Sequence, residues 1–218
     1  MATLAGLYVL IDPAACRGRS PVAVARDALA GGAGALQWRD KLRDKGEQLA
    51  DAAAILRLCA DADVAFIVND HADLALVLAG PLPPARGAVG VHVGQKDLPP
   101  AAVRSILPPH FLLGVSTNNA AEATAAAAAG AAYVAVGDIF GTTAKQGTRP
   151  ASPARLTEVK AAVSLPVVAI GGINRANVAE VVAAGADAVA VISAVCGADD
   201  PRDAAAALVA AIAAAKPR

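Results

Sequence analysis

Aromatic residues make up only 3% of the 218-residue chain, with one Trp and one Met, while 56% of residues are hydrophobic. The core must therefore be built from Ala, Val, Leu and Ile, and a disordered chain is excluded. Cysteine is equally sparse. Cys16, Cys59 and Cys196 stand far apart with no paired spacing, which argues against a disulfide scaffold, a zinc site or a redox motif. An excess of charge of either sign is lacking too: 19 Lys and Arg balance 19 Asp and Glu. No global field draws the chain to nucleic acid or to an acidic membrane, and any anion must be attracted locally. Long apolar runs are missing, since the Ala-rich stretch 120–136 is interrupted by Glu122 and Gly130, unlike the roughly 20 strongly apolar residues of a membrane helix. The opening MATLAGLYVLID has no basic residue ahead of its apolar run and meets Asp12, Pro13 and Arg17 soon after. It reads as a first strand and not as a signal peptide. The expectation is a soluble, cytoplasmic protein without nucleic-acid or membrane partners, and a homo-oligomer is compatible with it.

What the chain does have is alternation. LYVLI (7–11), ALQW (35–38), AFIV (65–68), VGVHV (89–93), FLLGV (111–115), YVAV (133–136), PVVAI (166–170) and AVAVI (188–192) read as strands. Their near-continuous apolarity suits strands buried on both faces, as in a parallel sheet covered by helices. Helical patterns fall at 21–30, 46–60, 71–79, 119–129, 153–163, 175–184 and 201–215, with Pro99 and Pro100 opening a short helix within 97–107. Ser152 before Pro153 is a helix start, and Gly130 and Gly185 are helix stops. Eight βα units over residues 1–218 predict one domain of α/β class, a closed (β/α)8 TIM barrel, in preference to a doubly wound open sheet.

In a barrel the chemistry sits where strands end. After the second strand, period-two alternation puts Gln37, Arg39 and Lys41 on one side; two cations and an amide suit a phosphate or diphosphate, against the plainer alternative of a solvated charge cluster. Asp70 ends the third strand region and Asp97 the fourth. Two such carboxylates suit one divalent cation whose other positions go to water and phosphate oxygens, although Asp70 also fits a helix cap and Asp97 a turn. His71 reads as a helix-start residue and His92 as a barrel residue. Ser116, Thr117 and Asn118 end the fifth strand, where Thr117 or Asn118 also fits as a cap. A long excursion after the sixth strand carries Thr142, Thr143 and Lys145, and long loops in compact domains are often functional. Gly171-Gly172 and Ile192-Ser193 end the seventh and eighth strands, where barrels often bind phosphate; a tight turn alone also explains the glycine pair.

Together these segments resemble the thiamine phosphate synthase family. LQWRDK, FIVNDHADLAL, GVHVGQKDLP, GVSTNNAAEA, YVAVGDIF, VVAIGGI and AGADAVAVISA occur in the family's order and at compatible spacing, from residue 7 to residue 195. The resemblance implies a Mg2+-dependent transferase. It would join 4-amino-2-methyl-5-hydroxymethylpyrimidine diphosphate to a thiazole phosphate, plain or carboxylated, and release diphosphate. It also implies that Gln37, Trp38, Arg39, Asp40, Lys41 and Asn69 line the pyrimidine diphosphate site, and that Asp70 and Asp97 hold Mg2+. Ser116 and Lys145 would add further contacts to that substrate, with Arg39, Lys41, Lys145 and Ser116 as the catalytic groups. Thr142, Thr143, Ala144, Gly172, Ile192 and Ser193 would cradle the thiazole phosphate. Such a reaction needs no nucleophilic side chain, which agrees with the absence of a Ser-His-Asp or Cys-His constellation. The acids that balance Arg39, Lys41 and Lys145 are expected mostly elsewhere.

The chain departs from the family's common Gly-Pro-x-Phe-x-Thr-x-Thr-Lys pattern after the sixth strand, with Asp138 in place of Pro and Ala144 in place of the second Thr. Thr143 or a backbone N–H stands in for that hydroxyl. A related thiazole tautomerase is the nearest alternative, and a non-catalytic thiazole phosphate binding protein is a second. Retention of Gln37-x-Arg39-x-Lys41, Asn69-Asp70 and Gln95 with Asp97 favours the synthase over the tautomerase, which does not need the metal-bound diphosphate site.

Overall fold

The computed structural model describes residues 4–80, 88–141 and 149–216. Eight parallel strands close on themselves in sequence order: β1 (Gly6–Ile11), β2 (Ala35–Trp38), β3 (Ala65–Asn69), β4 (Val89–Val93), β5 (Leu112–Thr117), β6 (Tyr133–Val136), β7 (Val167–Ile170) and β8 (Ala188–Val191), with β8 pairing back onto β1. The helices between them are α1 (Pro21–Ala30), α2 (Lys45–Asp61), α3 (Ala72–Ala79), α4 (Pro100–Ile106), α5 (Ala120–Ala128), α6 (Pro153–Ala162), α7 (Val178–Ala183), α8 (Ser193–Cys196) and α9 (Pro201–Ala215). This is the (β/α)8 barrel read from the sequence. No helix among the described residues is long and apolar enough to cross a membrane.

Because strand side chains alternate between faces, the apolar strands feed two separate layers. Tyr8, Leu10, Ala35, Ala65, Ile67, Tyr133, Ala135, Val168, Ala188 and Ala190 pack inside the barrel. Leu7, Val9, Ile11, Leu36, Trp38, Phe66, Val91, Leu113, Val134 and Val189 pack outward, against helix residues such as Val24, Ile55, Leu156 and Leu208. Burying each large aliphatic side chain is worth roughly 1.5–3 kcal/mol, so both layers need nearly unbroken apolar strands.

Local chemistry sets the helix ends. Ser20, Asn119, Ser152 and Asp200 accept from backbone N–H groups in the first turns of α1, α5, α6 and α9. Asn119, and neither Thr117 nor Asn118, therefore caps α5. Gly130 and Gly185 lie one residue beyond the caps of α5 and α7, which are Ala129 and Ala184. The helix expected from 175 begins at Val178 instead, because Asn174 and Asn177 first close a turn in which the Asn177 carboxamide accepts from Asn174 N–H at 2.8 Å. Two short pieces have no counterpart in the periodic pattern: α8, and a 3-10 turn at Pro13–Ala15.

Candidate active site

The C-terminal ends of the strands open into a cavity of about 510 Å3, within the range of roughly 300–1,000 Å3 usual for small-molecule sites. Its floor is the top of the inner layer, lined by Leu10, Ala135, Val168 and Ala190, and its rim is polar.

The second strand and its exit behave as period two requires. Gln37, Arg39 and Lys41 all line the cavity. Trp38 and Asp40 point the other way. Trp38 is 1% exposed within the outer layer and donates its indole N–H to Gln48 Oε1 on α2 at 3.0 Å. Asp40 accepts from the backbone N–H groups of Leu42 and Arg43 and pairs with the Arg43 guanidinium. Although burial opposes ionisation, those bonds hold its carboxyl below the usual range. Both residues thus brace the β2–α2 connection from behind the cavity wall.

The cations are not left without acids. Arg39 pairs with Asp12, a residue only 5% exposed at the end of β1, and Lys41 pairs with Asp70. The expectation that the balancing acids lie elsewhere is therefore corrected for these two. A carboxylate beside each cation fixes the direction in which its remaining N–H donors point.

Asn69, Asp70, Asp97 and Ser116 line the same cavity. Asp70 sits at φ +62, an uncommon backbone conformation for a residue with a side chain, directly where β3 turns into α3. The helix cap is His71, not Asp70. Asp97 Oδ2 accepts from Gly94 N–H at 2.7 Å, so it closes the turn after β4 at the edge of the cavity. Among the described residues no group of three or more His, Cys, Asp and Glu could by itself hold a metal ion. Two hard carboxylates on one rim nevertheless fit a cation such as Mg2+, which retains water and takes phosphate oxygens for its remaining ligands.

The opposite rim is made by Gly171, Gly172, Ile192 and Ser193. A Cβ on Gly171 would lie 2.2 Å from Asp138 Oδ1, and one on Gly172 would lie 2.3 Å from the Gly141 carbonyl. With φ at +109 and +64, both positions need glycine for the turn itself, and the same turn brings backbone up to the cavity. Asp138, which stands where the family commonly has Pro, is nearly buried and also lines the cavity. Thr142, Thr143, Ala144 and Lys145 lie outside the described residues. Beyond that stretch Arg149 lines the cavity and forms a two-bond pair with Glu122, at 2.6 and 2.7 Å. That guanidinium holds the Glu122 carboxyl below its ordinary range.

Sequence reasoning placed no role on Tyr8 or Tyr133, and took Gln95 only as part of the pattern with Asp97 that favours the synthase. Tyr8 and His92 line the cavity, and the Tyr133 hydroxyl sits 3.1 Å from both the Tyr8 hydroxyl and His92 Nδ1. Gln95 Nε2 donates to the Ser116 carbonyl at 2.6 Å. The available signal was a polar group at an inward position of an apolar strand, as with Tyr8 in LYVLI and His92 in VGVHV.

Residues 7–195 match the family model described as thiamine monophosphate synthase. Thiamine-phosphate synthase of Methanoculleus marisnigri is 50% identical over 96% of this chain and 96% of its own. That of Methanoregula boonei is 48% identical over 89% and 87%. Thiamine phosphate pyrophosphorylase from Pyrococcus furiosus superposes with a TM-score of 0.85 at 34% identity, covering 98% of both chains. With a family match across most of its length and relatives at this identity, the chain belongs to the thiamine monophosphate synthase family.

Proposed function

We propose that the protein is a thiamine phosphate synthase, a transferase that joins the pyrimidine diphosphate to the thiazole phosphate and releases diphosphate. The observation that carries this is the single rim on which Gln37, Arg39, Lys41, Asn69, Asp70, Asp97 and Ser116 meet, facing Gly172, Ile192 and Ser193 across an apolar floor. One side suits a diphosphate and the other a monophosphate, and the floor suits two flat rings.

In the reaction the bond between the pyrimidine methylene and the diphosphate oxygen breaks, its electron pair leaving with the diphosphate. The thiazole nitrogen lone pair then forms the new bond to that carbon, so no side-chain nucleophile or base is required. Charge grows on the departing oxygen. Arg39, Lys41 and Ser116, with Lys145, stabilise it more in the transition state than in the substrate. Gln37 Oε1 is buried with no hydrogen-bond partner among the described residues, an unmet acceptor suited to the amino group of the pyrimidine. Asp70 and Asp97 would hold Mg2+, which supplies Lewis-acid charge on the diphosphate oxygens when bound. Asp97→Asn should lower turnover strongly at limiting Mg2+ while leaving the fold intact, and unchanged activity there removes Asp97 from the mechanism.

Mixing both substrates with Mg2+ and following diphosphate release tests the function itself. The synthase releases diphosphate only when both substrates are present. Isomerisation of the thiazole phosphate without diphosphate release would assign the protein to tautomerase chemistry, and binding without either reaction would make it a binding protein.

A further inference from the structure

Inside the barrel, Gln37 and Ser116 are joined by a run of three polar groups, Tyr8, Tyr133 and His92, that the reaction as described does not use. Gln37 Nε2 donates to the Tyr8 hydroxyl at 2.5 Å; the Tyr8 and Tyr133 hydroxyls lie 3.1 Å apart. The Tyr133 hydroxyl lies 3.1 Å from His92 Nδ1, and His92 Nε2 lies 2.9 Å from Ser116 Oγ. Gln37, Tyr8 and Tyr133 are each no more than 2% exposed, and His92 is 8% exposed. Space for the chain is built in, because a Cβ at Gly114 would sit 2.3 Å from the Tyr133 hydroxyl and 2.5 Å from His92 Nδ1.

We propose that this is one directional hydrogen-bond chain, in which Tyr133 and His92 are positioning residues that turn the Ser116 hydroxyl proton toward the cavity. Each link has one proton to give, which fixes the direction of the next. The Gln37 amide can only donate through Nε2, so the Tyr8 hydroxyl accepts there and spends its own proton on Tyr133. Tyr133 in turn spends its proton on His92 Nδ1. A neutral imidazole that accepts at Nδ1 carries its hydrogen on Nε2, and that hydrogen goes to Ser116 Oγ. Ser116 then has its proton free for the cavity, where it faces the oxygens of the departing diphosphate. Burial pushes both phenols above their ordinary range, which keeps each of them a donor. The same polarity leaves Gln37 Oε1 as an acceptor at the other end, so one chain sets an acceptor for the pyrimidine and a donor for the leaving group. Only the kinetic consequence rests on the synthase reading; the direction of the chain does not.

Long-range proton–nitrogen NMR on substrate-free protein with isotope-labelled histidine reads which ring nitrogen of His92 carries hydrogen. His92→Gln assigns the signals. The chain requires the Nε2–H form in the native protein, a shift toward Nδ1–H in Tyr133→Phe, and retention of Nε2–H in Tyr8→Phe, where Tyr133 still faces His92. In Tyr133→Phe, kcat should fall about tenfold, equivalent to about 1.4 kcal/mol, with KM for the thiazole phosphate held. An Nδ1–H form in the native protein overturns the proposal, as does a Tyr133→Phe protein with tautomer and kcat unchanged. Should Tyr133→Phe fail to fold, the native protein and Tyr8→Phe still decide the direction. A native protein with the Nε2–H form that makes no thiamine phosphate supports the chain and overturns the synthase reading instead.

Discussion

Arg39 illustrates how one side chain serves both stability and chemistry. Its guanidinium reaches the cavity while pairing with Asp12, which is almost buried and also accepts from Ala14 N–H at 3.0 Å. Arg39→Ala should lower kcat by about 100-fold through loss of one charged donor to the leaving group. It should also destabilise the fold by about 3 kcal/mol, because Asp12 is left buried without its partner. Steady-state kinetics and denaturant unfolding measure the two separately. The inward set of Gln37, Arg39 and Lys41 was legible because alternation along a strand is local. The Asp12 partner was not, since it arrives from β1 only when β1 and β2 pair in register, Leu10 opposite Gln37 and Ile11 opposite Trp38. The same alternation, applied to Trp38 and Asp40, places them behind the wall, where a shared motif had grouped them with the substrate contacts.

At the scale of elements, strands were easier to locate than the short pieces between them. Strand apolarity is driven by two buried faces and leaves a run in the sequence, whereas α8 has only four residues, too few for a helical period to register. The delayed start of α7 comes from the Asn174–Asn177 turn, a competition between side chain and backbone that periodicity does not see. Glycine inside β5 was likewise unexplained by pattern. Its reason is the space claimed by Tyr133 and His92, so Gly114→Ala should cost about 1–3 kcal/mol by overpacking, read as a lower denaturant midpoint with an unchanged slope. The Glu122–Arg149 pair ties α5 to the segment entering α6, and it responds to pH. The folded carboxyl lies below its unfolded value, so the stabilisation is complete above the ordinary Glu range and is lost as pH falls through the folded value. With the Arg149 side chain 51% exposed, Glu122→Gln should cost only about 0.5 kcal/mol at neutral pH. That difference should vanish in acid when both proteins are compared by denaturant unfolding.

At the scale of the whole molecule, the barrel turns an overall neutral chain into a locally charged rim. The residues of the site are spread from Tyr8 on β1 to Ser193 after β8, and only closure of β8 onto β1 brings the first and last βα units to one mouth. Strand count and the polar residues after each strand made that assembly legible; the pairing of each cation with an acid, and the polar chain beneath the cavity, depend on packing across the barrel and were not. The most direct test of the account is a crystal structure of the protein with diphosphate and Mg2+. The account predicts the diphosphate against Arg39, Lys41 and Ser116, with one ion shared between Asp70 and Asp97. Diphosphate bound away from these residues, or an ion touching neither carboxylate, would contradict it.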